Sequence, residues 1–291
     1  MRIPELFTRG EPVFSFEFFL PKTPADTETL KRTVRDLKRL KPHFVTLTYG
    51  AGGSARERTV EMAGALKNEL AVETAAHLTC VAHTRAEIDA VLERVRAFGI
   101  ENIVALRGDA PKDQPLPPIE SRELPYAVDL VRHIRSRGGF AMAVAGYPET
   151  HPEAPSPEAD LERLKAKVDA GGEWVITQLF FDNKGYFDFV ARARAAGVRV
   201  PIVPGIMPVT SFAQTKRFTA MCGARLPDEL VASLEPIQED KEAVVRRGVE
   251  WAVRQCRELL DRGAPGLHFY TLNRSHSTEN ILARLTGADG T

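Results

Sequence analysis

Asn102-Ile-Val-Ala-Leu-Arg-Gly-Asp109 is the stretch of this chain that says most about its fold. Its apolar run, residues 103–106, does not alternate with polar residues, which is typical of a strand covered on both faces. Arg107, Gly108 and Asp109 follow directly, and the Gly lets the backbone approach a ligand closely. Taken alone, these charges are equally consistent with a loop salt bridge. The functional interpretation gains weight because seven other strand-like runs also end in polar groups.

The other strand-like runs are short and apolar, and they cover residues 13–19, 44–48, 73–80, 140–147, 174–181, 202–206 and 266–270. The segments between them repeat apolar residues at helical spacing. Helix starts are predicted at Asp26, at the capping pairs Ser54/Glu57 and Thr84/Glu87, and at Ser156 before Pro157. No Pro/Ser-rich linker divides the series. Eight β-α units in one block favour a single eight-stranded β/α (TIM) barrel over an open doubly wound sheet.

The length and composition of the chain limit which classes of function are possible. The chain has 291 residues, 43% of them hydrophobic, which suits one domain over residues 1–291. Its 39 basic and 39 acidic residues cancel, so nucleic acid and membranes are not expected partners and small molecules are. Cys80, Cys222 and Cys256 are widely spaced in apolar segments, which predicts no disulfide and no metal site. No apolar run approaches the roughly 20 residues of a membrane span, so we expect a cytoplasmic protein.

Several polar residues interrupt or follow the predicted strands. Glu17 lies among phenylalanines, and burial there should raise its pKa and keep it protonated for general-acid work. His77 in an apolar strand is more often a satisfied core residue than a ligand. In a β/α barrel the active site lies at the carboxyl ends of the strands, which predicts one site containing Glu17, Thr48, His77, Asp109, Tyr147, Gln178 and Tyr270.

Two loops also bear on the site. Tyr49-Gly50-Ala51-Gly52-Gly53 lacks the spacing of a phosphate-binding loop, so a tight turn is the better interpretation. The polar, Pro-rich loop 110–118 is long enough to cover a ligand, and we expect it to be mobile.

Nine segments together resemble one known family, the bacterial 5,10-methylenetetrahydrofolate reductases. These segments, spread over almost the whole chain, are Ser15-Phe16-Glu17-Phe18-Phe19, Thr48-Tyr49-Gly50-Ala51, His77-Leu78-Thr79-Cys80, Ala105-Leu106-Arg107-Gly108-Asp109, Tyr147-Pro148-Glu149, His151-Pro152-Glu153, Ile176-Thr177-Gln178, Pro204-Gly205-Ile206 and His268-Phe269-Tyr270-Thr271-Leu272-Asn273. The chain departs from the family at Leu20, where a Pro is usual, and at Arg163, where some relatives have Asn. The sequence stops at Thr291, so we expect it to lack the C-terminal regulatory domain that the larger relatives carry.

The resemblance implies a flavoenzyme of one-carbon metabolism. Its FAD would take a hydride from NADH or NADPH and pass it to methylenetetrahydrofolate, giving methyltetrahydrofolate for methionine synthesis. Glu17 would protonate the departing folate nitrogen, and Asp109 would favour the folate cation. The residues expected to bind FAD are Thr48, His77, Leu106, Arg107, Gly108, Asp109, Gly146, Tyr147, His151, Asp160, Arg163 and Lys167. Those expected to bind substrate are Glu17, Asp109, Gln178, Phe218, Tyr270 and Arg274.

Two alternatives stay open at this level. One is a barrel enzyme without flavin, such as an aldolase or a flavin-independent reductase, and the other is a non-catalytic protein that binds flavin or folate. A homo-oligomer is expected, and no metal. The colour of the purified protein would separate the flavin-dependent and flavin-free alternatives.

Overall fold

The computed structural model describes residues 1–49, 53–109 and 116–287, with only the backbone described for residues 53–56. Eight parallel strands pair in sequence order, and the last pairs with the first to close a barrel. The strands are β1 (Val13–Phe18), β2 (Phe44–Leu47), β3 (Thr74–Thr79), β4 (Asn102–Leu106), β5 (Ala141–Gly146), β6 (Trp174–Leu179), β7 (Ile202–Ile206) and β8 (Gly266–Tyr270). The predicted fold class is confirmed.

Helices connect the strands and surround the barrel. They are α1 (Pro24–Lys38), α2 (Gly53–Asn68), α3 (Arg85–Ala97), α4 (Ala127–Arg137), α5 (Pro157–Asp169), α6 (Asn183–Ala195), α7 (Phe212–Cys222), α8 (Asp228–Leu234), α9 (Lys241–Asp261) and α10 (His276–Thr286). Among the described residues, no helix combines the length and apolar character that crossing a bilayer requires.

The two faces of β1 show how the sequence divides the core. Because side chains alternate along a strand, Phe14, Phe16 and Phe18 pack outward against the helices. Ser15 and Glu17 therefore point into the barrel. The aromatic residues that flank Glu17 in the sequence are thus on the opposite face of the strand from its carboxyl group.

A short 3-10 helix, Ile3–Thr8, closes the amino end of the barrel. Ile3 and Leu6 are buried in the inner cluster that also contains Phe44 and Trp174. The side-chain carbonyl of Asn102 accepts a hydrogen bond from the Ile3 amide at 2.9 Å. This helix was not predicted, because the apolar residues of the segment are few and do not follow the spacing of a strand or a long helix.

Two of the four predicted helix starts are confirmed. The Thr84/Glu87 capping box and the Ser156 cap before Pro157 are both present. The Asp26 prediction was wrong by three residues: Thr23 is the N-cap of α1, and Asp26 completes its capping box because Pro24 occupies the first helical position. Residues 50–52, the Ser54 side chain and residues 110–115 lie outside the described part, so the expectations for both loops remain predictions.

Candidate active site

A cavity of about 740 Å³ opens at the carboxyl ends of the strands. Twelve of the residues predicted for the site line it, namely Glu17, Thr48, His77, Leu106, Arg107, Gly108, Asp109, Tyr147, His151, Gln178, Phe218 and Tyr270. The barrel topology explains why these residues, which are distant in sequence, lie together at one end of the sheet.

Glu17 occupies the floor of this cavity and is almost fully buried. Its Oε2 atom accepts a hydrogen bond from Thr46 Oγ1 at 3.2 Å and lies 3.3 Å from His268 Nε2. His77 Nε2 is also 3.2 Å away, which is ion-pair distance, but the contact lacks hydrogen-bond geometry. One carboxylate oxygen thus has two imidazoles and a hydroxyl around it.

The predicted direction of the Glu17 pKa was wrong. Burial by itself raises the pKa of this carboxyl, but the imidazoles of His77 and His268 lower it below its ordinary value. The prediction failed because it took the phenylalanines of the same strand as the neighbours of the carboxyl. Strand alternation turns those rings outward, and β2, β3 and β8 supply polar partners instead.

His268 is a site residue for which the sequence patterns predicted no role. It is fully buried, with Nδ1 2.8 Å from Ser15 Oγ and Nε2 directed at Glu17. The register between β1 and β8 places Ser15 opposite His268 and Glu17 opposite Tyr270. In both the first and the last strand, polar residues alternate with apolar ones. This pattern could have indicated His268, because closure of the barrel places these two strands side by side.

The end of β4 places a charged pair at the mouth of the cavity. Gly108 has φ +83°, and a Cβ there would lie 2.8 Å from both Thr79 and Val81, so only Gly fits. The Arg107 guanidinium forms a two-pronged ion pair with the Glu153 carboxylate. Glu153 was quoted as part of a motif but not predicted as a partner of Arg107. Asp109 is exposed at the same mouth.

The wall beside β5 is formed by Tyr147 and His151, whose rings meet edge to face at 4.6 Å. Burial, reinforced by the charges of Asp160 and Asp109, raises the pKa of Tyr147 to about 12. Asp160 accepts the His151 amide at 3.0 Å and so fixes the loop between β5 and α5. Tyr147 therefore stays a neutral phenol at physiological pH.

On the opposite wall, the Tyr270 side chain extends from β8 past β7 and reaches β6. Its hydroxyl donates to the Thr177 carbonyl at 2.7 Å, and a Cβ on Gly205 would lie 2.3 Å from that carbonyl oxygen and 2.7 Å from the Tyr270 ring. Gly205 is thus required for Tyr270 to lie across the barrel. Gln178 lines the same side, with its side-chain oxygen accepting the Leu179 amide at 2.9 Å.

Five of the predicted site residues are not on the cavity wall: Gly146, Asp160, Arg163, Lys167 and Arg274. Lys167 lies in the last turn of α5, and its ammonium group donates to the Ala145 carbonyl at 2.6 Å. Burial lowers the Lys167 pKa to about 8. Gly146 does not present a side chain to the cavity. A Cβ added at this position would point toward Val175 and Phe189, away from the cavity.

The fold has known counterparts at low sequence identity. A protein from Clostridium thermocellum, described as uncharacterized and as binding two copies of 5-methyl-5,6,7,8-tetrahydrofolic acid, superposes with a TM-score of 0.67 at 14% identity and covers 99% of each chain. Dihydropteroate synthase from Xanthomonas albilineans gives 0.53 at 14% identity, covering 97% of this chain and 94% of that one. These similarities concern the fold alone.

Sequence comparison is more specific. The family model for methylenetetrahydrofolate reductase matches residues 2–286. The 5,10-methylenetetrahydrofolate reductase of Salmonella typhimurium is 41% identical over 273 residues, covering 94% of this chain and 90% of that protein. Methylenetetrahydrofolate reductase (NADH) 1 of Arabidopsis thaliana is 41% identical over 98% of this chain, which spans only 50% of the length of that relative. On these matches, this chain belongs to the methylenetetrahydrofolate reductase family.

Proposed function

We propose that this protein reduces 5,10-methylenetetrahydrofolate to 5-methyltetrahydrofolate, with FAD as bound cofactor and NADH or NADPH as reductant. The observation that carries the proposal is a buried carboxylate, Glu17, held by two histidines on the floor of a cavity that Asp109 also lines. Family membership supports the same reaction. The names of the plant relatives support a nicotinamide as the reductant.

Opening of the folate ring requires the protein to supply a proton. The bond between the methylene carbon and the departing nitrogen breaks readily only if that nitrogen receives a proton, so the site must deliver one. Glu17 points into the cavity and is the acidic side chain at its floor. We assign it the delivery step.

The lowered pKa of Glu17 changes how this delivery works. Because His77 and His268 stabilise its carboxylate, Glu17 does not hold the proton in the free site. Both imidazole Nε2 atoms lie within 3.3 Å of Oε2, so we infer that a proton for the folate is delivered along this cluster and through the carboxylate. The cluster is therefore a relay rather than a single acid.

The cavity residues fit a flavin dinucleotide in several respects. Gly108 allows the backbone at the end of β4 to approach a ring closely, and His77 Nε2 has no hydrogen-bond partner among the described residues. Arg107 at the mouth supplies a cation for a diphosphate. Lys167 is off the cavity wall with its ammonium group on the Ala145 carbonyl, and it would have to leave that carbonyl to supply a second cation. When bound, FAD would carry the hydride from the nicotinamide to the methylene carbon. Arg107 must first exchange Glu153 for a phosphate.

Asp109 has a distinct role in this scheme. Its carboxylate is at the cavity mouth and would place a negative charge near the cationic form of the folate. We propose that the barrel alone carries the reaction, and that the protein works as a homo-oligomer. Thr48, Leu106, Gly146, His151, Asp160 and Arg163 would complete the cofactor site, and Gln178, Phe218, Tyr270 and Arg274 would bind substrate.

The absorbance spectrum of the purified protein tests the proposal directly. We expect the two visible bands of an oxidised flavin, their loss on anaerobic addition of NADH or NADPH, and their return on addition of methylenetetrahydrofolate, with 5-methyltetrahydrofolate as product. A colourless protein that takes up no added FAD would remove the flavin. Flavin that is reduced by nicotinamide but not reoxidised by the folate would remove the substrate.

A further inference from the structure

The cavity that would hold an anionic dinucleotide is itself rich in carboxylates. Three acidic side chains line it, Glu17, Asp109 and Glu153, whereas Arg107 is the one Lys or Arg side chain in the lining among the described residues. Burial lowers the pKa of His151, so this imidazole is neutral at physiological pH and adds no second positive charge. The proposed reaction uses Glu17 and Asp109 but gives no role to Glu153.

Glu153 occupies the guanidinium group that a phosphate would need. Its Oε1 atom accepts a hydrogen bond from Arg107 Nη2 at 2.7 Å, and its Oε2 atom accepts one from Nη1. Carboxylate and phosphate oxygens bind the same two-pronged face of a guanidinium, so the two groups compete for it. The Glu153 side chain is 59% exposed and has room to rotate away when a phosphate binds.

The backbone of Glu153, in contrast, is held by two neighbouring side chains. Its amide donates to His151 Nδ1 at 3.0 Å, and its carbonyl accepts from Arg163 Nη1 at 3.4 Å. His151 is itself tied to α5, because its own amide donates to Asp160 at 3.0 Å. Rotation of the Glu153 side chain can therefore break the ion pair, but the carboxylate stays at the mouth of the cavity.

A carboxylate that stays beside a phosphate site discriminates between ligands by their charge. The phosphate of flavin mononucleotide (FMN) is a monoester and carries about −1.5 to −2 charges at pH 7. Each of the two phosphates in FAD carries a single charge, because neither has a second ionisable oxygen. Electrostatic repulsion is proportional to the charge, so Glu153 disfavours the phosphate of FMN more than either phosphate of FAD.

We propose that Glu153 is a selectivity residue, which competes for Arg107 and repels the more highly charged phosphate so that the cavity binds flavin as FAD in preference to FMN. This inference rests on the proposed function. It predicts that loss of the Glu153 charge strengthens flavin binding. A residue that binds the cofactor directly, or that only supports the fold, would have the opposite effect when substituted.

Flavin titrations of protein freed of bound flavin test the proposal. Glu153→Gln removes the charge and keeps the size of the side chain. At low ionic strength it should lower the Kd of FMN about tenfold and the Kd of FAD about threefold, because the repelled charge is larger in FMN. Riboflavin has no phosphate and should bind with an unchanged Kd. Quenching of flavin fluorescence measures all three constants.

Two further variants control for shape and for overall charge. Glu153→Asp keeps the carboxylate and should retain the wild-type preference for FAD. Glu162→Gln removes a negative charge from an exposed position on α5 that is outside the cavity lining, and it should change none of the three constants. Higher ionic strength should reduce the difference between the wild type and Glu153→Gln, because salt screens the charges of exposed groups.

The outcomes separate this inference from the proposed function. A wild-type protein that binds no flavin would remove the flavin from the proposed function and this inference with it. If the wild type binds FAD, the selectivity role is wrong when Glu153→Gln tightens FMN and FAD by the same factor, leaves both constants unchanged or weakens either ligand. A matching change in the Kd of riboflavin would also overturn it, since the substitution would then act on the flavin ring rather than on the phosphate.

Discussion

Both ends of the barrel contain charged and polar groups, but the two ends use them differently. At the amino end, Arg2 pairs with Glu173 at 2.8 Å, Lys67 pairs with Glu73 at 2.9 Å, and Asn102 has hydrogen-bond partners for both its amide oxygen and its amide nitrogen. At the carboxyl end, the polar groups surround a cavity of about 740 Å³.

The difference lies in what completes each set of interactions. At the amino end the charged groups pair with one another, and the 3-10 helix fills the remaining space with Ile3 and Leu6. The buried Trp174 Nε1 is the exception, since it has no hydrogen-bond partner among the described residues. At the cavity the Phe19 ring is exposed, and His77 Nε2 lies at ion-pair distance from Glu17 but makes no hydrogen bond with the described residues. One end is filled by the chain itself, whereas the other leaves an open cavity lined by polar groups.

Glu17→Gln should have the largest effect on activity. The amide cannot relay a proton, so the folate half-reaction should slow about 10²- to 10⁴-fold, a barrier of roughly 3–5 kcal/mol, while flavin reduction by NADH stays nearly normal. Stopped-flow measurement of the two half-reactions separates them. Equal loss in both, with less bound flavin, would mean that Glu17 has only a structural role.

Asp109→Asn should have an intermediate effect. The change removes a charge while keeping the shape, so FAD should remain bound and folate reduction should slow about 10- to 100-fold, because the cationic folate loses a nearby negative charge. Rapid-mixing rates for the folate half-reaction and the flavin content of the variant measure this. A variant that reduces the folate at the wild-type rate would contradict the assigned role.

Asn102→Ala should leave activity nearly unchanged and lower stability instead. The side chain is fully buried, accepts the Ile3 amide at 2.9 Å and donates to the Met1 carbonyl at 2.9 Å and to Glu73 at 3.0 Å. Loss of these bonds should cost about 2–3 kcal/mol in the free energy of unfolding. Urea unfolding and steady-state turnover test both halves of this expectation. A large loss of kcat without loss of stability would break the contrast between the two ends.

Several features of this protein were determined by the sequence alone. Eight apolar runs separated by helical patterns predicted the barrel, since hydrophobic periodicity depends only on local order. The same patterns placed Glu17, His77, Asp109 and Tyr270 at strand ends, which in a barrel means a shared cavity. Twelve predicted residues do line it.

Other features were decided only by the tertiary structure. The direction of the Glu17 pKa depends on His77 and His268, which are 60 and 251 positions away and approach Oε2 only because β1 pairs with β8 and shares a closed barrel with β3. The ion pair of Arg107 with Glu153 and the fixing of Phe19 by Asn273 likewise join distant segments. Local sequence determines which face of a strand a residue occupies. Strand register and barrel closure determine which groups that face contacts. They therefore also determine its electrostatic and hydrogen-bond energies, which depend on distances in space rather than along the chain.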